Sequence, residues 1–254
     1  MNYALIIDIC CCGSDCYGQL NNPILSEFRI ISDQFETKKI ISHTIIPNEP
    51  ITAYTELMTG ESLESIRSNE SSVELNSYLE SAYSVLSKCM SGGMYLIGYN
   101  HINYDLKILN DHFTKILKKP EIVWPPEKVI DVAELCKHVL PYKEVGTFTM
   151  DACWYYINHE KNVTLHIPSC DNTILIDLMQ YCMNGKSFDE TYNMMNVDYE
   201  FNEFMWGKYK GMSFDYVYNN DRNYIYWLLK NAKNNIPLIK RIKEQMDSEV
   251  DDVE

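Results

Sequence analysis

The sequence predicts an α/β fold, in which helices flank a mixed central sheet, followed by a small C-terminal module. Three observations predict it: strand-like apolar runs near the N-terminus, an alternation of strand-like and helix-like segments after them, and a polar, irregular texture near residue 184. The chain has 254 residues, of which 46% are hydrophobic and 23% charged. This length suits one large domain, or a medium domain with an appendage.

The first three segments predict antiparallel strands. Residues 3–9 form a short apolar run that carries Asp8 at its end, and further runs cover residues 28–35 and 38–46. Glu36 and Thr37 form a turn between the last two runs, so the three strands form a meander. The proline-containing stretch 47–60 predicts a loop.

Helices and strands alternate from residue 72 onward. Short apolar runs at 94–98 and 129–131 predict two further strands, each placed ahead of a helix. Apolar residues at helical spacing predict helices over residues 72–88, 104–117, 132–139, 147–157 and 169–183. Ser169 is the predicted N-cap of the last one. Strand–helix alternation is typical of parallel strands, so the sheet is expected to be mixed.

Changes in texture divide the chain into four parts. We assign residues 1–185 to the α/β domain and the polar residues 186–200 to a linker. Residues 201–232 form a compact, aromatic-rich module, and residues 233–254 form a helical acidic tail.

The net charge of -14 argues against a protein that grips nucleic acid along a broad basic face. Local basic spots or a bound divalent ion stay compatible with it, because an ion brings its own positive charge. No stretch approaches the ~18 uninterrupted apolar residues of a membrane span, so we expect no membrane association.

The nine cysteines include the run Cys10, Cys11 and Cys12. Their number is odd, no Cys-x-x-Cys pair occurs, and no basic leader precedes the first apolar run. We therefore expect free thiols in a reducing intracellular compartment, the cytoplasm or nucleus. The abundance of Asn, Ile and Tyr indicates an AT-rich genome, such as that of a large DNA virus.

Three aspartates lie where metal chemistry would need them. Asp8 ends the first strand, Asp105 begins a helix after a strand, and Asp171 lies in the first turn of a later helix, just after His166. Taken singly, each has an ordinary explanation, such as a favourable interaction with a helix dipole. Together they form an oxygen-rich set that suits one or two hard divalent cations. Two ions ~4 Å apart can stabilise both the attacking and the leaving oxygen of a phosphodiester.

The order and spacing of these residues resemble those of the DnaQ-like 3′-5′ exonucleases, the histidine (DEDDh) subgroup with a ribonuclease H-like fold. The three motifs read LIIDICCCGSD, GYNHINYDLKIL and HIPSCD, and VIDVAEL resembles the segment ahead of the third. The resemblance implies a ribonuclease H-like domain over residues 1–185 that removes nucleotides from DNA or RNA 3′ ends. It also implies that Asp8, Asp105 and Asp171 hold Mg²⁺ or Mn²⁺ and that His166 is the general base.

The resemblance extends to substrate contacts. The stretch IIPNEPITAYTELMTGES resembles the family's proline-rich loop and wedging turn, which places Leu57 and Met58 against the terminal base. Asn100 in the second motif is expected to contact the substrate or support its loop. Tyr104 is expected to belong to the core.

One position departs from the family pattern. The glutamate expected two residues after Asp8 is replaced by Cys10, whose thiol is soft, short and neutral unless activated. Asp15 lies too far along the chain, and Glu27 would need an unusual loop to reach the site. Two alternatives follow: a metal-dependent exonuclease with weakened chemistry, or an inactive protein that binds nucleic acid or a protein partner as a scaffold.

The C-terminal stretch FMWGKYKGMSFDYVYNNDRNYIYWLLKN resembles the small module of exodeoxyribonuclease X-like proteins. Its Gly-Lys-x-Lys-Gly turn would present Lys208 and Lys210 to phosphates. Trp206, Tyr209 and Phe214 would then stack on bases. The alternative is that the aromatics form the core that a module of this size needs.

Overall fold

The computed structural model describes residues 2–12, 21–159, 166–196, 202–204, 207–231 and 236–251. The chain divides into two compact units, Met1–Asn193 and Met194–Glu254, and each is described by itself. No helix among the described residues is long and apolar enough to cross a membrane.

A mixed sheet of six strands, as far as the first unit is described, runs in the order β4-β3-β2-β1-β5-β6. Strands β1, β2 and β3 form the expected antiparallel meander, while β5 and β6 join β1 in parallel and β4 pairs in parallel with β3. The α/β class with a mixed central sheet is therefore confirmed. The strands are β1 (Tyr3–Cys11), β2 (Pro23–Ser32), β3 (Thr37–Ile46), β4 (Val73–Glu74), β5 (Tyr95–Gly98) and β6 (Val129–Asp131).

Helices cover the sheet and complete the first unit. They are α1 (Ala53–Thr59), α2 (Leu63–Ser68), α3 (Leu75–Ser91), α4 (Asp105–Lys115), α5 (Val132–Val139), α6 (Tyr142–Val145), α7 (Met150–Asn158), α8 (Pro168–Met183) and α9 (Phe188–Asn196). Helices α3 and α4 contribute to the main core cluster, and α8 packs against β1 and β2.

Alternation along β1 separates its side chains between two faces. Leu5, Ile7 and Ile9 belong to the main core cluster together with residues of α3 and α4. Asp8 and Cys10 lie at the alternate positions, so they share the opposite face of the strand. The run of cysteines therefore continues the strand, and Asp8 lies within β1 rather than at its end.

Several predicted boundaries in the first unit are wrong. Strand β2 covers Pro23–Ser32 and not 28–35, and Thr37 begins β3 instead of lying in the turn. The predicted loop 47–60 contains α1, because the Thr52 side chain caps its first turn by accepting from the Thr55 backbone N–H. Ser169 is not an N-cap: Pro168 occupies the first turn of α8 and Ile167 is the capping position. Proline suits the first turn because it has no N–H to leave unpaired.

The expected linker 186–200 contains helix α9, and the boundary between the two units falls within that helix. Ser187 and Glu190 cap each other, since the Ser187 backbone N–H donates to Glu190 at 2.8 Å and the Glu190 N–H donates to Ser187 Oγ at 3.3 Å. Phe188 is fully buried beside Tyr95. This stretch therefore begins as a packed helix of the first unit.

The second unit is built from α10 (Phe214–Asn220), α11 (Arg222–Asn231), α12 (Ile236–Asp251) and a short 3-10 turn, Gly207–Tyr209. Gly207 and Gly211 have φ of 74° and 82°, the left-handed conformation that glycine permits. The residues predicted to form a helical acidic tail, 233–254, include α12, which contributes to the core of this unit. That core contains Phe204, Phe214, Val217, Tyr218, Ile225, Leu228, Leu238 and Ile242.

Candidate active site

A cavity of about 620 Å³ lies over β1 and the first residues of α4 and α8. Its wall includes Asp8, Cys10, Asp105, His166 and Asp171, which the sequence places in three separate motifs. The remaining lining residues are Ile9, Cys11, Tyr54, Thr55, Met58, Thr59, Tyr99, Asn100, Tyr104, Ala133, Lys137, Phe148, Thr149 and Met150.

Asp8 carries a buried carboxylate oxygen, Oδ2, that has no hydrogen-bond partner. Burial raises the pKa of Asp8 well above its usual value, and the negative charges of Asp105, Asp171 and Glu27 raise it further. A buried, unpaired carboxylate oxygen is costly, so this position favours a cation or a proton.

Asp105 begins α4 and is held from the backbone of β1. Strand β5 pairs with β1 only from Ala4 to Ile6, and beyond that the Ile9 N–H donates to Asp105 Oδ1 at 2.9 Å. Burial raises the pKa of Asp105 to about 7, and the nearby Asp131 and Asp171 charges act in the same direction, while the hydrogen bond from Ile9 opposes them.

Asp171 lies in the first turn of α8 and orients the backbone of His166. Both of its carboxylate oxygens accept from the His166 N–H, at 3.1 and 3.0 Å. Burial raises the pKa of Asp171 to about 7, although the hydrogen bond from His166 lowers it. His166 itself is exposed and has a φ of 66°, which is unusual for a residue with a side chain.

Cys10 belongs to the first motif and contacts the third. Its Sγ donates to the His166 carbonyl at 3.0 Å. The backbone of His166 is therefore bound at its carbonyl by Cys10 and at its N–H by Asp171. One ligand atom each from Asp8, Cys10 and Asp171 lies within 4.8 Å of the other two. Burial raises the pKa of the Cys10 thiol, and the carboxylates of Asp8 and Asp171 raise it further.

Glu27 is brought to the site by strand pairing and not by a loop. It lies directly opposite Asp8 in the β1–β2 register and is 1% exposed. Its carboxylate is paired with Arg29 Nε at 2.6 Å and Lys39 Nζ at 2.5 Å. Burial raises the pKa of Glu27, but these two partners outweigh it, so the pKa is lowered. Glu27 is therefore a neutralised neighbour of Asp8, and the expectation that a loop must deliver it is wrong.

The expected substrate contacts occupy different positions. Asn100 lines the cavity with a φ of 54°, its N–H donating to Asp131 Oδ1 at 2.9 Å. Met58 also lines the cavity from α1, whereas its neighbour Leu57 is 79% exposed and does not line it. The structure thus brings Asn100 and Met58 to the carboxylates and leaves Leu57 on the outer side of α1.

Several cavity residues were not singled out from the sequence. Tyr54 and Thr55 come from α1, which was expected to be a loop, and Lys137 lies on α5, where its Nζ pairs with Glu134 at 2.5 Å. Tyr104 is 42% exposed and lines the cavity, so its assignment to the core is wrong. The short TAYTEL segment, with Thr52 as its cap, was the available signal for α1.

The two lysines of the C-terminal unit lie on the 3-10 turn and just after it. Lys208 Nζ pairs with Asp221 Oδ2 at 3.0 Å, and the Tyr209 hydroxyl donates to the same oxygen at 2.6 Å. Lys210 is exposed. Of the expected stacking residues, Phe214 is buried in the core of the unit and Tyr209 is half-buried. Trp206 lies outside the described residues.

The donor set fits a divalent cation. Asp8, Asp105 and Asp171 are buried or partly buried carboxylates of raised pKa, and Asp8 Oδ2 lacks a partner. Lys137, the cationic side chain among the described lining residues, is already paired with Glu134. The charge of these carboxylates therefore needs an ion, or protons, to balance it.

Comparison with known proteins gives two kinds of match. Residues 204–233 match the family model described as exodeoxyribonuclease X-like C-terminal. The chain is similar to E. coli exonuclease I in a zinc-bound complex with single-stranded DNA, with a TM-score of 0.60 and 13% identity. That match covers 73% of this chain and 41% of the other, so the chain spans about two fifths of exonuclease I.

A second solved structure is matched over nearly its whole length. The nuclease domain of 3′hExo, a DEDDh family member bound to rAMP, gives a TM-score of 0.52 and 10% identity, over 73% of this chain and 94% of that one. A search of curated protein sequences finds no match. Identities this low establish the fold alone. The chain therefore has the ribonuclease H-like fold of the DnaQ-like exonucleases, followed by a segment that matches the exodeoxyribonuclease X-like C-terminal model.

Proposed function

We propose that this protein binds a nucleic-acid 3′ end and hydrolyses its terminal phosphodiester with the help of a divalent metal ion. One observation supports this proposal above the others: Asp8, Asp105 and Asp171 line one cavity, together with an exposed histidine. An oxygen-rich, partly open site of this kind suits hydrolysis assisted by Mg²⁺ or Mn²⁺.

Each of the motif residues has a definite part in this proposal. Asp8, Asp105 and Asp171 would hold one or two ions, which when bound would supply charge stabilisation at the scissile phosphate. His166 would take the proton from the attacking water, because an imidazole accepts protons near neutral pH. Asp171 and Cys10 would orient His166, since they bind its N–H and its carbonyl.

The cavity also suits the proposed substrate class. Its volume of about 620 Å³ lies within the range of small-ligand sites, which supports one nucleotide as its occupant. Asn100 and Met58 would contact that nucleotide, with Leu57 at the outer rim of α1. Exonuclease I was solved with single-stranded DNA and 3′hExo with rAMP, and we propose a DNA or RNA 3′ end as the ligand of this chain.

Cys10 supports a second candidate function. A protonated thiol replaces the carboxylate that the exonuclease pattern places there, and it donates to His166 and so forms a structural contact. In this alternative the protein keeps the fold and binds a nucleic-acid 3′ end, or a protein partner, without efficient cleavage.

The two functions differ in metal-dependent trimming. Oligonucleotides of DNA and of RNA, labelled at the 5′ end, are incubated with Mg²⁺ or Mn²⁺ and the wild-type, Asp171→Ala or Asp111→Asn protein. Asp111 is a matched control because it is exposed on the same helix as Asp105. If the protein is an active exonuclease, the wild type and Asp111→Asn should shorten the oligonucleotides stepwise from the 3′ end, and Asp171→Ala should not.

A blocked 3′ end tests the direction of attack. A 3′-phosphorothioate linkage should slow trimming by the wild-type protein, since the first bond to be broken is then the modified one. No trimming, or equal trimming by wild type and Asp171→Ala, would contradict the enzyme and leave binding without cleavage as the function.

A further inference from the structure

We propose that Cys10 is itself a metal ligand and that it makes this site select zinc-like ions over Mg²⁺. The inference rests on the metal site of the proposed function, but not on whether the protein cleaves nucleic acid. The juxtaposition that carries it is a sulfur between two carboxylates, with ligand atoms of Asp8, Cys10 and Asp171 within 4.8 Å of one another.

The ligand atoms lie within 4.8 Å of one another, which is somewhat wider than the spacing around a shared ion. Zinc binds sulfur at about 2.3 Å and carboxylate oxygen at about 2.0–2.2 Å, so tetrahedral ligand atoms lie about 3.5 Å apart. Small side-chain rotations would close the remaining gap. Asp171 accepts the His166 N–H with both oxygens, so one oxygen can turn to an ion while the other keeps the hydrogen bond.

Cys10 is the residue of the cysteine run that shares a face of β1 with Asp8. Cys11 also lines the cavity, but it belongs to the main core cluster and is not part of the donor set. The Cys12 thiol points to Asn21 Oδ1 at 3.7 Å. Cys10 is half-buried, and its sulfur already lies beside the His166 carbonyl at the cavity wall.

The chemistry of the donors determines which ion is preferred. Thiolate is a soft ligand that favours zinc and its neighbours, whereas Mg²⁺ demands oxygen ligands in a near-octahedral arrangement. Three protein ligands with a fourth position left for water or substrate is the ligand number of catalytic zinc sites, and Asp8, Cys10 and Asp171 supply three. Asp8 Oδ2 has no hydrogen-bond partner in the protein, so its lone pairs are available to such an ion.

The test uses Co²⁺ and Zn²⁺ on the full-length protein and does not depend on hydrolysis. Titration with Co²⁺ should produce a near-ultraviolet sulfur-to-cobalt charge-transfer band in wild type and in Cys170→Ser, and none in Cys10→Ser. Cys170 is the matched control because it is also half-buried, and its thiol is not part of the donor set.

Calorimetry gives the second readout. Cys10→Ser should weaken Zn²⁺ binding at least about tenfold, the lower limit expected when a metal site loses even an outer-shell partner. Its affinity for Mg²⁺ should change less than about threefold, a change that corresponds to less than about 1 kcal/mol. Cys10→Glu should narrow the preference for Zn²⁺ over Mg²⁺, because an oxygen then replaces the soft ligand.

Cadmium provides a measurement on the wild-type protein, should the variants fail to fold. The ¹¹³Cd resonance of bound cadmium should be displaced downfield relative to an all-oxygen site. Metal binding with no charge-transfer band, and with equal Zn²⁺ affinity in wild type and Cys10→Ser, would overturn this inference and leave the proposed function standing. Absence of binding by any of these ions would overturn both.

Discussion

At the scale of single residues, the aspartates of the cavity are held at a cost to the metal-free protein. Asp171 has a pKa of about 7 in the folded chain, against an ordinary value of 3.8. The folded state therefore binds the Asp171 proton more tightly than the unfolded chain does. The resulting contribution to the free energy of unfolding is fully present below about pH 3.8 and is lost as the pH rises through about 7. Asp105 behaves in the same way.

Asp171→Asn should therefore stabilise the metal-free protein at alkaline pH. An amide carries no charge to desolvate, so in EDTA at pH 8 the free energy of unfolding should rise by about 2–4 kcal/mol, with little change at pH 4. Urea unfolding at both pH values measures this difference, and Asp111→Asn serves as the exposed control.

The same variant should lose the stabilisation that added metal gives. Mn²⁺ or Zn²⁺ should raise the Tm of the wild type at pH 8 and should raise that of Asp171→Asn much less, because a ligand is missing. A variant that is less stable than wild type in EDTA at pH 8 would contradict the electrostatic account.

The aspartates and His166 could be chosen from the sequence because their motifs keep order and spacing. Glu27 could not, because its position opposite Asp8 depends on the pairing register of β1 and β2. Lys137 gave no signal either, since one lysine on an amphipathic helix is ordinary. Site residues that belong to local sequence motifs can therefore be predicted from the sequence, whereas those that strand pairing or packing brings to the site cannot.

At the scale of elements, the turn between β5 and α4 is set by a glycine. A Cβ atom at Gly98 would lie 2.5 Å from the Cβ of His101, which is fully buried. Burial lowers the pKa of His101 to about 3, so this packed ring stays neutral. The turn carries Asn100 to the cavity wall and precedes Asp105.

Gly98→Ala should distort this turn. The contact is far too short for a real Cβ, so we expect a loss of about 1–3 kcal/mol and a fall in Tm of about 3–10 °C. Gly92→Ala is the control, because its nearest contact is 3.2 Å and its φ is -76°. Equal Tm values for the two variants, measured by calorimetry, would show that the turn gives way without cost.

Helix α12 closes the core of the second unit with Leu238 and Ile242. Ile242→Ala should leave a cavity that costs about 2–4 kcal/mol in that unit. Hydrogen exchange on the full-length protein should show faster exchange of the amides of α10 and α11, while Lys243→Ala, at an exposed neighbour, should leave exchange unchanged. Unchanged protection in Ile242→Ala would show that α12 contributes little to the core.

Among the elements, the long periodic segments were predictable and the short capped ones were missed. The apolar spacing gives α3, α4, α5 and α8 to within a few residues. Helix α9 was not predicted, because its segment is polar and was taken as a linker. The spacing of Ser187 and Glu190, which cap each other, was the available signal for it. The start of α8 was misplaced because Pro168, and not Ser169, determines where its first turn begins.

At the scale of the whole molecule, 22 basic residues oppose 36 acidic ones. Binding to a single strand should therefore use few phosphate contacts, and log K against log salt should have a slope no steeper than about -2. Replacing both Lys208 and Lys210 by alanine should weaken binding and flatten this slope by up to ~2.

The measurement uses fluorescence anisotropy of a labelled oligonucleotide in an Asp171→Asn background, so that the strand is not cut. The double variant Lys107→Ala, Lys115→Ala is the control, because both lysines are exposed and both pair with Asp111, as Lys208 pairs with Asp221. Identical slopes for the two double variants would exclude a phosphate-binding role for the C-terminal turn.

The core of the second unit has a practical consequence for the design of gene fragments. The match to the exodeoxyribonuclease X-like C-terminal model ends at residue 233, yet the core residues Leu238 and Ile242 lie beyond it. A fragment that ends where the similarity ends would uncover Phe214, Tyr218 and their neighbours to water. Such a fragment should aggregate on expression, whereas one that continues through residue 251 should remain dispersed.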